Sequence, residues 1–577
     1  MERFLQLSDF GFRRLKRAYV AEVAFTLAFL AAAIPNTNGQ DNTAAGSRTP
    51  DASRSENDVV RLRPFIVTGT RIQNPWRYVA IPGYEVISRC DDPETVEYVG
   101  SLLRGNIMMK AALPDGCLSP LATPAKVILY YGLSDAKGTA AVISQKTAKG
   151  LDEALWRTRD TWDYIRTADV QSEDTTIRCL EMPPLFRDPL TRESSGYAGI
   201  GAWTMPSFRF RLRHRVPQFP AWLVVGLIGP GGLHHGPNIL QSPRDIRSPT
   251  QLLYPTAQWV NDSETVAIRE SRTAGTPLIP LAGLFEQKDL SELFHPSVWS
   301  SEAALFVRWG MFGHAYGEDG SDPRAFWEFV NETTAGPVTD EKFRSCFGFG
   351  YAEMETRLKK FLPKAVREIL AKDMDIDMDT DPSVPPLRNA TAAEIARIVG
   401  DWGRLQGEAL KIVDPNLSRE LLDEAGRELA KPYVNGSRDS DYLGVLGLYD
   451  YSVGQNEEAH KLLEEAVKRH VTRPSVYLRA AQLRYSAGAA HPLGKVGRLS
   501  LAQVTSILEP LAVAQAQPPA MVETYLLMAE VWSKSDTKPS PRDFATLSEA
   551  EKLFWTDARL TTAIDNICAQ WKAAGGS

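Results

Sequence analysis

The sequence predicts an α+β region at the N-terminus and in the middle of the chain, followed by an all-α domain of repeated helix pairs. Three observations support this division of the 577 residues. Short apolar segments that alternate as strands do are confined to the first part. From Thr391 onward, apolar residues recur at helical spacing in short, closely spaced segments. Between these parts, residues 373–390 are rich in Asp and Pro, which is typical of a linker.

Residues 1–35 have the organisation of a secretory signal peptide. A basic run at residues 13–17 precedes an apolar stretch at 18–34 that ends in small residues. This stretch is shorter than the roughly 20 residues that a spanning helix needs, so we expect export with cleavage. Residues 36–58 contain almost nothing apolar and are predicted to be a disordered spacer. The expected location is periplasmic or extracellular, with membrane contact only through an uncleaved signal segment, if at all.

The charge of the chain argues against nucleic acid as its main partner. The net charge is −6 at pH 7, whereas a phosphate backbone is bound by a basic surface. The composition, with 43% hydrophobic and 24% charged residues, is that of a globular protein. Neither charge nor composition identifies a partner beyond this exclusion.

Five widely spaced cysteines leave two interpretations open. Their spacing excludes a zinc ribbon or a CxxC motif. In an oxidising compartment one disulfide could form among Cys90, Cys117 and Cys179. Buried thiols are the alternative. Because Cys346 and Cys568 bring the number to five, at least one cysteine is a thiol or pairs between chains.

Residues 59–200 are predicted to form an α+β domain. The run at 59–67 is rich in residues that favour strands, and residues 84–88 alternate as a strand does. Residues 92–108 begin with Asp-Asp-Pro, which favours a helix start, and carry apolar residues at helical spacing. A second short strand is predicted at 126–131.

Residues 201–372 are predicted to be mainly helical. Within them, Phe208 to Arg213 alternate apolar and basic residues as a strand could. An apolar helix is predicted to follow Pro220. Further helices are predicted at residues 299–311, 322–334, 340–347 and 351–370.

Residues 391–577 are predicted to be a domain of helix pairs. Thr391 to Glu394 form a capping box that opens a helix to about Val413. The next helix is predicted at 418–431, ending at Pro432.

The clearest repeat follows, because seven residues have the spacing of the tetratricopeptide pattern. They are Leu443, Leu446, Gly447, Gly454, Ala459, Leu463 and Ala466. Gly447 and Ala459 are small where two helices would cross closely, and Gly454 allows the turn between them. Asp450 departs from the pattern, which usually has an aromatic residue there, and Pro474 is three residues late. This segment resembles a tetratricopeptide unit, which implies a groove that binds a protein or peptide.

Three segments of the middle region carry a second resemblance. Residues 220–227 read Pro-Ala-Trp-Leu-Val-Val-Gly-Leu, and residues 301–307 read Ser-Glu-Ala-Ala-Leu-Phe-Val. Residues 346–355 contain Phe-Gly followed by Glu at 353 and 355. Together they resemble secreted peptidase-MA-like proteins of the gluzincin fold that carry C-terminal tetratricopeptide repeats. In that family, a helix beginning Pro-x-Trp-Leu-x-Glu-Gly-Leu supplies the third zinc ligand. The resemblance covers residues 80–370 and implies a degenerate gluzincin-like, peptidase-like body.

The residues that would bind zinc are missing from this body. A gluzincin site needs HExxH on a helix, and none of the eight His residues is followed by Glu. Val225 stands at the degenerate third-ligand position and cannot ligate a metal. The sequence therefore predicts no catalytic residue, no metal ligand and no cofactor.

Other candidate sites are weak. His234-His235 is the only His cluster, and Asp245 is the nearest acidic residue, so a solvated loop is favoured over a metal site. The alternating aspartates of residues 373–381 suggest a calcium loop, but the required Gly and Glu are absent. Nucleophile-elbow and phosphate-loop motifs are absent as well.

Three functions stay open. The favoured one is an exported non-catalytic interaction or scaffold protein, in which a peptidase-like body accompanies a peptide-binding helical array. The alternative is a metallopeptidase-like hydrolase with an atypical active site that uses His214, His234, His235 or a carboxylate that the sequence does not single out. A structural role in the cell envelope is the third.

Overall fold

The structure, a computed structural model, describes residues 74–131, 166–182, 200–228, 278–286, 298–367, 383–412 and 414–575. All of them belong to one unit that spans residues 70–577. The described chain is mostly helical, with a small mixed sheet in the N-terminal region and a helical C-terminal region. The predicted order of an α+β part followed by a helical part is therefore confirmed. Within the described ranges, no helix combines the length and apolarity needed to cross a membrane.

Some predictions concern segments outside the described residues. They are the signal peptide at 1–35, the spacer at 36–58, the strand at 59–67, the pair His234-His235 and the aspartates of 373–381. These predictions stay untested by the structure.

A six-stranded sheet forms the N-terminal part. Its strands are β1 (Arg77–Ile81), β2 (Tyr84–Ser88), β3 (Ala125–Tyr131), β4 (Arg166–Gln171), β5 (Thr176–Met182) and β6 (Arg388–Asn389), in the spatial order β4-β5-β3-β2-β1-β6. Gly83, with a φ of 83°, allows the two-residue turn between β1 and β2. Helix α1 (Asp92–Ala112) crosses over to β3, which lies parallel to β2. The predicted strands at 84–88 and 126–131 and the helix from Asp92 are confirmed.

Both faces of the sheet are covered, which explains why β2 is buried along its whole length. One face packs against α1 through Tyr98, Val99 and Leu102. The opposite face packs against residues of the C-terminal helices, including Ile398 and Trp402. Strand β6, which lies in the segment predicted as a linker, pairs with β1 and leads into those helices.

The middle region consists of helices around an aromatic core. They are α2 (Ile200–Arg213), α3 (Ala221–Ile228), α4 (Leu281–Leu284), α5 (Val298–Phe312), α6 (Pro323–Thr334), α7 (Asp340–Phe347) and α8 (Tyr351–Arg367). The core includes Trp222, Phe306, Phe329 and Phe343, and Phe306 contacts Trp222 and Phe329 edge to face, as Phe329 does Phe343. The helices predicted at 299–311, 322–334 and 340–347 and the helix after Pro220 are confirmed.

The strand predicted for Phe208 to Arg213 is wrong, because these residues form the end of α2. Phe208 and Leu212 enter the aromatic core, while α2 also packs against α1 and β5. A helix that is buried on more than one side loses the single apolar stripe that marks an amphipathic helix. The long Arg211 side chain still reaches a partner, since its Nε donates to the carbonyl oxygen of Ser119 at 2.8 Å.

The C-terminal region begins with α9 (Ala392–Ile395), a π-helical turn at Ala396–Gly400 and α10 (Asp401–Leu410). The capping box of Thr391 and Glu394 is confirmed. The helices that follow are α11 (Pro415–Val434), α12 (Ser440–Ser452), α13 (Asn456–Lys468), α14 (Pro474–Ala490), α15 (Leu501–Ala516), α16 (Val522–Ser533), α17 (Pro541–Leu553) and α18 (Ala558–Gly575). The predicted stop at Pro432 is wrong, because α11 continues to Val434. A proline in the last turn removes only one helical hydrogen bond near an end that frays easily.

The helices from α10 to α17 follow one another as antiparallel pairs whose first helices, α10, α12, α14 and α16, lie side by side, and the last helix, α18, packs mainly against α16. The array therefore has two edges made of loops. The docked edge consists of residues 469–473, 517–521 and 554–557, which connect one pair to the next. The exposed edge consists of residues 453–455, 491–500 and 534–540, which join the two helices of a pair.

Candidate functional site

The seven residues of the predicted repeat all lie in the pair α12–α13 or in its turn. Leu443, Leu446, Ala459, Leu463 and Ala466 are buried. A Cβ on Gly447 would lie 2.9 Å from the Leu463 side chain, so the two helices cross closely there. Gly454 has a φ of 81° in the turn. These residues therefore hold the pair together and do not form an open binding surface.

Asp450 and Val225, two of the departures from family patterns, are both buried. Burial raises the pKa of Asp450 to about 6, an effect that nearby Glu458 strengthens. Val225 lies in α3, which packs tightly against α5, because a Cβ on Gly226 would lie 2.4 Å from Val307. Across the described ranges, no group of three or more His, Cys, Asp or Glu residues could hold a metal ion.

All five cysteines are thiols in the structure. Cys90, Cys117 and Cys179, the candidates for a disulfide, are buried. Burial raises the pKa of Cys117 to about 12, so this thiol stays protonated. A buried, protonated thiol is a poor nucleophile.

A cavity of about 1090 Å³ lies between the docked edge and the body, by which we mean the sheet and middle helices at residues 74–367. Its body side includes the aromatic side chains of Phe219, Trp222 and Phe285. Its other side includes Met521, Phe554 and Trp555. The volume is at the upper end of the range for ligand sites, which are mostly apolar with a few polar groups.

His214, the one candidate of the hydrolase alternative that the structure describes, lines this cavity. Its ring stacks on Phe210 at 4.1 Å between centroids, and its Nδ1 lies 2.9 Å from the Phe210 carbonyl oxygen. Burial lowers the pKa of His214, so the ring is neutral and Nδ1 donates to the carbonyl. Its Nε2 is then a hydrogen-bond acceptor.

The other polar groups of the cavity wall are ill suited to nucleophilic catalysis. The lining residues within the described part of the chain include no Ser, Cys or Lys. Both threonines of the lining donate their hydroxyl protons elsewhere: Thr333 to the Val330 carbonyl at 2.6 Å and Thr556 to Gln218 at 3.1 Å. A hydroxyl nucleophile needs an adjacent base to activate it, and neither threonine bonds to one here.

The carboxylates of the cavity are Glu173, Glu286 and Glu523. Glu173 accepts a hydrogen bond from Arg479 at 2.9 Å, and Glu523 lies 3.7 Å from Arg559. Glu286 is exposed at the margin. These groups belong to the polar part of the cavity wall.

A buried network of charges joins the body to the helical array. Asp401 is at its centre and accepts hydrogen bonds from Arg404 at 2.7 Å and Arg473 at 2.6 Å, with Lys126 of β3 at 3.4 Å. Although burial opposes the charge, these three cations hold the pKa of Asp401 well below its usual range. Arg473 also pairs with Asp174, between β4 and β5, at 3.3 Å.

A second buried pair lies beside this network. Arg397, in the π-helical turn, donates two hydrogen bonds to Glu85 of β2, and the Tyr78 hydroxyl donates a third at 2.6 Å. The bidentate pairing lowers the pKa of Glu85 despite its burial. Because these groups are closed to solvent, they join two parts of the chain and do not meet a ligand.

Sequence reasoning predicted neither the cavity nor the charge network. The cavity is lined by residues from Gln171 to Thr556, and no local pattern links them. Lys126 and Asp401 look like surface residues when read alone. No protein-family model matches the chain, and no curated protein is significantly similar to it.

Proposed function

We propose that this is an exported, non-catalytic binding protein that holds an apolar peptide segment in the cavity between the body and the docked edge. The cavity itself carries the proposal, since aromatic side chains line it from both sides and its described lining lacks an activated nucleophile. The signal-like residues 1–35 are the reason to propose export.

The helical array supports a tetratricopeptide-like identity. Its helices form antiparallel pairs whose first helices lie side by side, and one pair has the repeat spacing from Leu443 to Ala466. The body is proposed to be a degenerate peptidase-like domain. In support, α3 begins Ala-Trp-Leu after Pro220 and buries Val225 where the family has its third ligand.

A peptide fits the chemistry of the cavity. Large aromatic side chains act as anchors for apolar side chains in peptide recognition. The neutral His214 offers an acceptor at Nε2, and the carboxylates of the cavity wall suit backbone N–H groups or a basic side chain. The cavity is partly open to solvent and its wall has both apolar and polar parts, so a peptide segment could enter it and be oriented by hydrogen bonds.

A cavity-filling variant tests the proposal. Ala282 lines the cavity and is exposed, so Ala282→Trp adds bulk inside it without disturbing the core. Ala352→Trp, at an exposed position of α8 outside the cavity, is the matched control. Peptides are selected from a displayed random library on the full chain, and their affinities for the variants are measured by fluorescence anisotropy.

We expect apolar peptides whose affinity falls roughly tenfold or more in Ala282→Trp, as for the loss of a buried anchor, and is unchanged in Ala352→Trp. Failure to enrich any peptide, or equal affinity in both variants, would contradict the proposal. Stoichiometric, tightly held zinc in the purified chain would favour the hydrolase alternative instead.

A further inference from the structure

The exposed edge displays large apolar side chains to solvent. Leu493 is 78% exposed, Val496 is 97% exposed and Leu501, just after the loop, is 52% exposed. Single exposed apolar residues are ordinary, but three within nine positions of the chain, two of them in one loop, are a concentration that calls for an explanation.

This loop is held in a defined conformation. Its two ends are tied by Gln503, whose Oε1 accepts from the Leu493 backbone and whose Nε2 donates to the His491 carbonyl, both at 2.9 Å. The loop also pairs with residues 534–540. The Leu499 N–H donates to the Lys534 carbonyl oxygen, and the Asp536 N–H donates to the Leu499 carbonyl oxygen, both at 2.9 Å. Leu499 is buried and anchors the arrangement. The exposed apolar side chains are thus presented by an ordered loop.

Val496 has a strained backbone at the tip of the loop. Its φ is 57° and its ψ is 35°, the left-handed region that β-branched residues rarely adopt. Such strain persists where surrounding contacts enforce it, and it is frequent at ligand-binding positions. A strained and almost fully exposed valine has no role in the packing of the array.

The same edge is basic although the protein is acidic. The loops at residues 491–500 and 534–540 contain four basic side chains and one acidic one, against a net charge of −6 for the whole chain. Lys495, Lys534 and Lys538 are exposed. The one acidic residue, Asp536, accepts a hydrogen bond from the Lys495 backbone at 2.9 Å. Exposed cations therefore lie in the same loop as the exposed apolar side chains or in the loop paired with it.

We propose that the exposed edge binds an anionic phospholipid surface. Leu493 and Val496 enter the boundary between headgroups and acyl chains, while the lysines of the two loops interact with the negative headgroups. Peripheral membrane binding combines these two contributions, buried apolar area and attraction of basic side chains to anionic lipid. Exposed aliphatic side chains in the same loops as exposed lysines match an anionic lipid surface, which offers both apolar chains and negative headgroups.

This inference is independent of the cavity. The docked and exposed edges lie at opposite ends of the same helices, and the 17-residue α14 separates them by roughly 25 Å at 1.5 Å per residue. A chain bound to lipid through its exposed edge would keep the cavity away from the bilayer.

Vesicle co-sedimentation tests the proposal on the full chain. The vesicles contain phosphatidylcholine alone or phosphatidylcholine mixed with phosphatidylglycerol. We expect binding to the mixed vesicles that weakens as NaCl is added, because salt screens the attraction of lysines to headgroups. We expect much weaker binding to phosphatidylcholine alone.

Two variants separate the contributions. Leu493→Ser with Val496→Ser should weaken binding to mixed vesicles roughly tenfold or more, through loss of apolar area. Lys495→Gln with Lys534→Gln and Lys538→Gln should remove the preference for phosphatidylglycerol. Val434→Ser, at an aliphatic residue that is 82% exposed elsewhere on the array, is the control and should bind like the unaltered chain.

Every variant, including the Val434→Ser control, retains the apolar segment at residues 18–34. Any lipid binding by that segment is therefore the same in all of them. If the full chain does not bind mixed vesicles, or if the loop variants bind as tightly as Val434→Ser, the proposal is wrong. All the substituted side chains are exposed, and circular dichroism spectra that overlay confirm that folding is intact.

Discussion

The two edges of the helical array are built alike and surrounded differently. Both consist of short loops between the same antiparallel helices. On the docked edge, Val471, Met521 and Phe554 are buried, and the Pro518 carbonyl accepts a hydrogen bond from Ala122 of the body at 2.7 Å. On the exposed edge, Leu493 and Val496 face solvent. A repeat architecture thus produces two rows of loops, and the rest of the chain decides which row becomes part of an interior.

The largest effect is expected from removing the buried Asp401 carboxylate, which joins the body to the helical array. Asp401→Ala leaves Lys126, Arg404 and Arg473 buried without their shared counter-ion. Breaking a buried ion network in this way costs about 3–5 kcal/mol of unfolding free energy. Urea denaturation measures it, with Lys431→Ala, which removes an exposed ion pair to Glu428, as the control expected to change stability by less than about 1 kcal/mol. Equal effects would show that the junction is not tied by this network.

The same carboxylate predicts a pH dependence. The folded-state pKa of Asp401 lies below its unfolded value, so its contribution to stability is fully present above about pH 4. As pH falls below that value, Asp401 is protonated in the unfolded state but stays ionised in the folded state, so the free energy of unfolding decreases. We expect the melting temperature of the unaltered chain to fall on acidification more steeply than that of Asp401→Asn. Parallel curves would contradict this.

A matched pair of truncations compares the two edges directly. Phe554→Ala removes a buried ring that packs 5.7 Å from Tyr525 on the docked edge, which should cost about 3 kcal/mol. Val496→Ala on the exposed edge removes almost no buried area and should change stability by less than about 0.5 kcal/mol. Both are measured by urea denaturation. A large loss in Val496→Ala would mean that the exposed edge also packs against the body.

The smallest expected effect is a gain of stability. Val496 has a left-handed backbone in which a β-branched residue is strained, and glycine is not. Val496→Gly should therefore stabilise the chain by about 1 kcal/mol, reduced by the larger conformational entropy that glycine loses on folding. Val434→Gly, in the last turn of α11, should destabilise slightly instead, because glycine is a poor helix residue. Opposite signs in the two variants, read from melting temperatures, would support the strain at Val496.

Local features of this protein could be predicted from the sequence, because their causes lie within a few residues. The capping box needs only Thr391 and Glu394, and the turn at Gly454 needs only a residue that tolerates positive φ. The helix pairs follow from apolar periodicity and short connections. The order of an α+β part before a helical part rests on the same local patterns.

Other features depended on neighbours that are distant in the chain. The alternation at Phe208 to Arg213 predicted a strand because only the folded chain shows that α2 is buried on more than one side. Lys126 and Asp401 are 275 residues apart, and no sequence pattern around either residue predicts that they pair.

The sequence by itself therefore determined the helices, their caps and the repeated pairs of the array, since backbone hydrogen bonds and side-chain periodicity act locally. Only the tertiary structure decided which edge of the array docks, where the cavity lies and which charges are buried. Burial and ion pairing depend on what other parts of the chain exclude water from a residue, and that is a property of the whole fold.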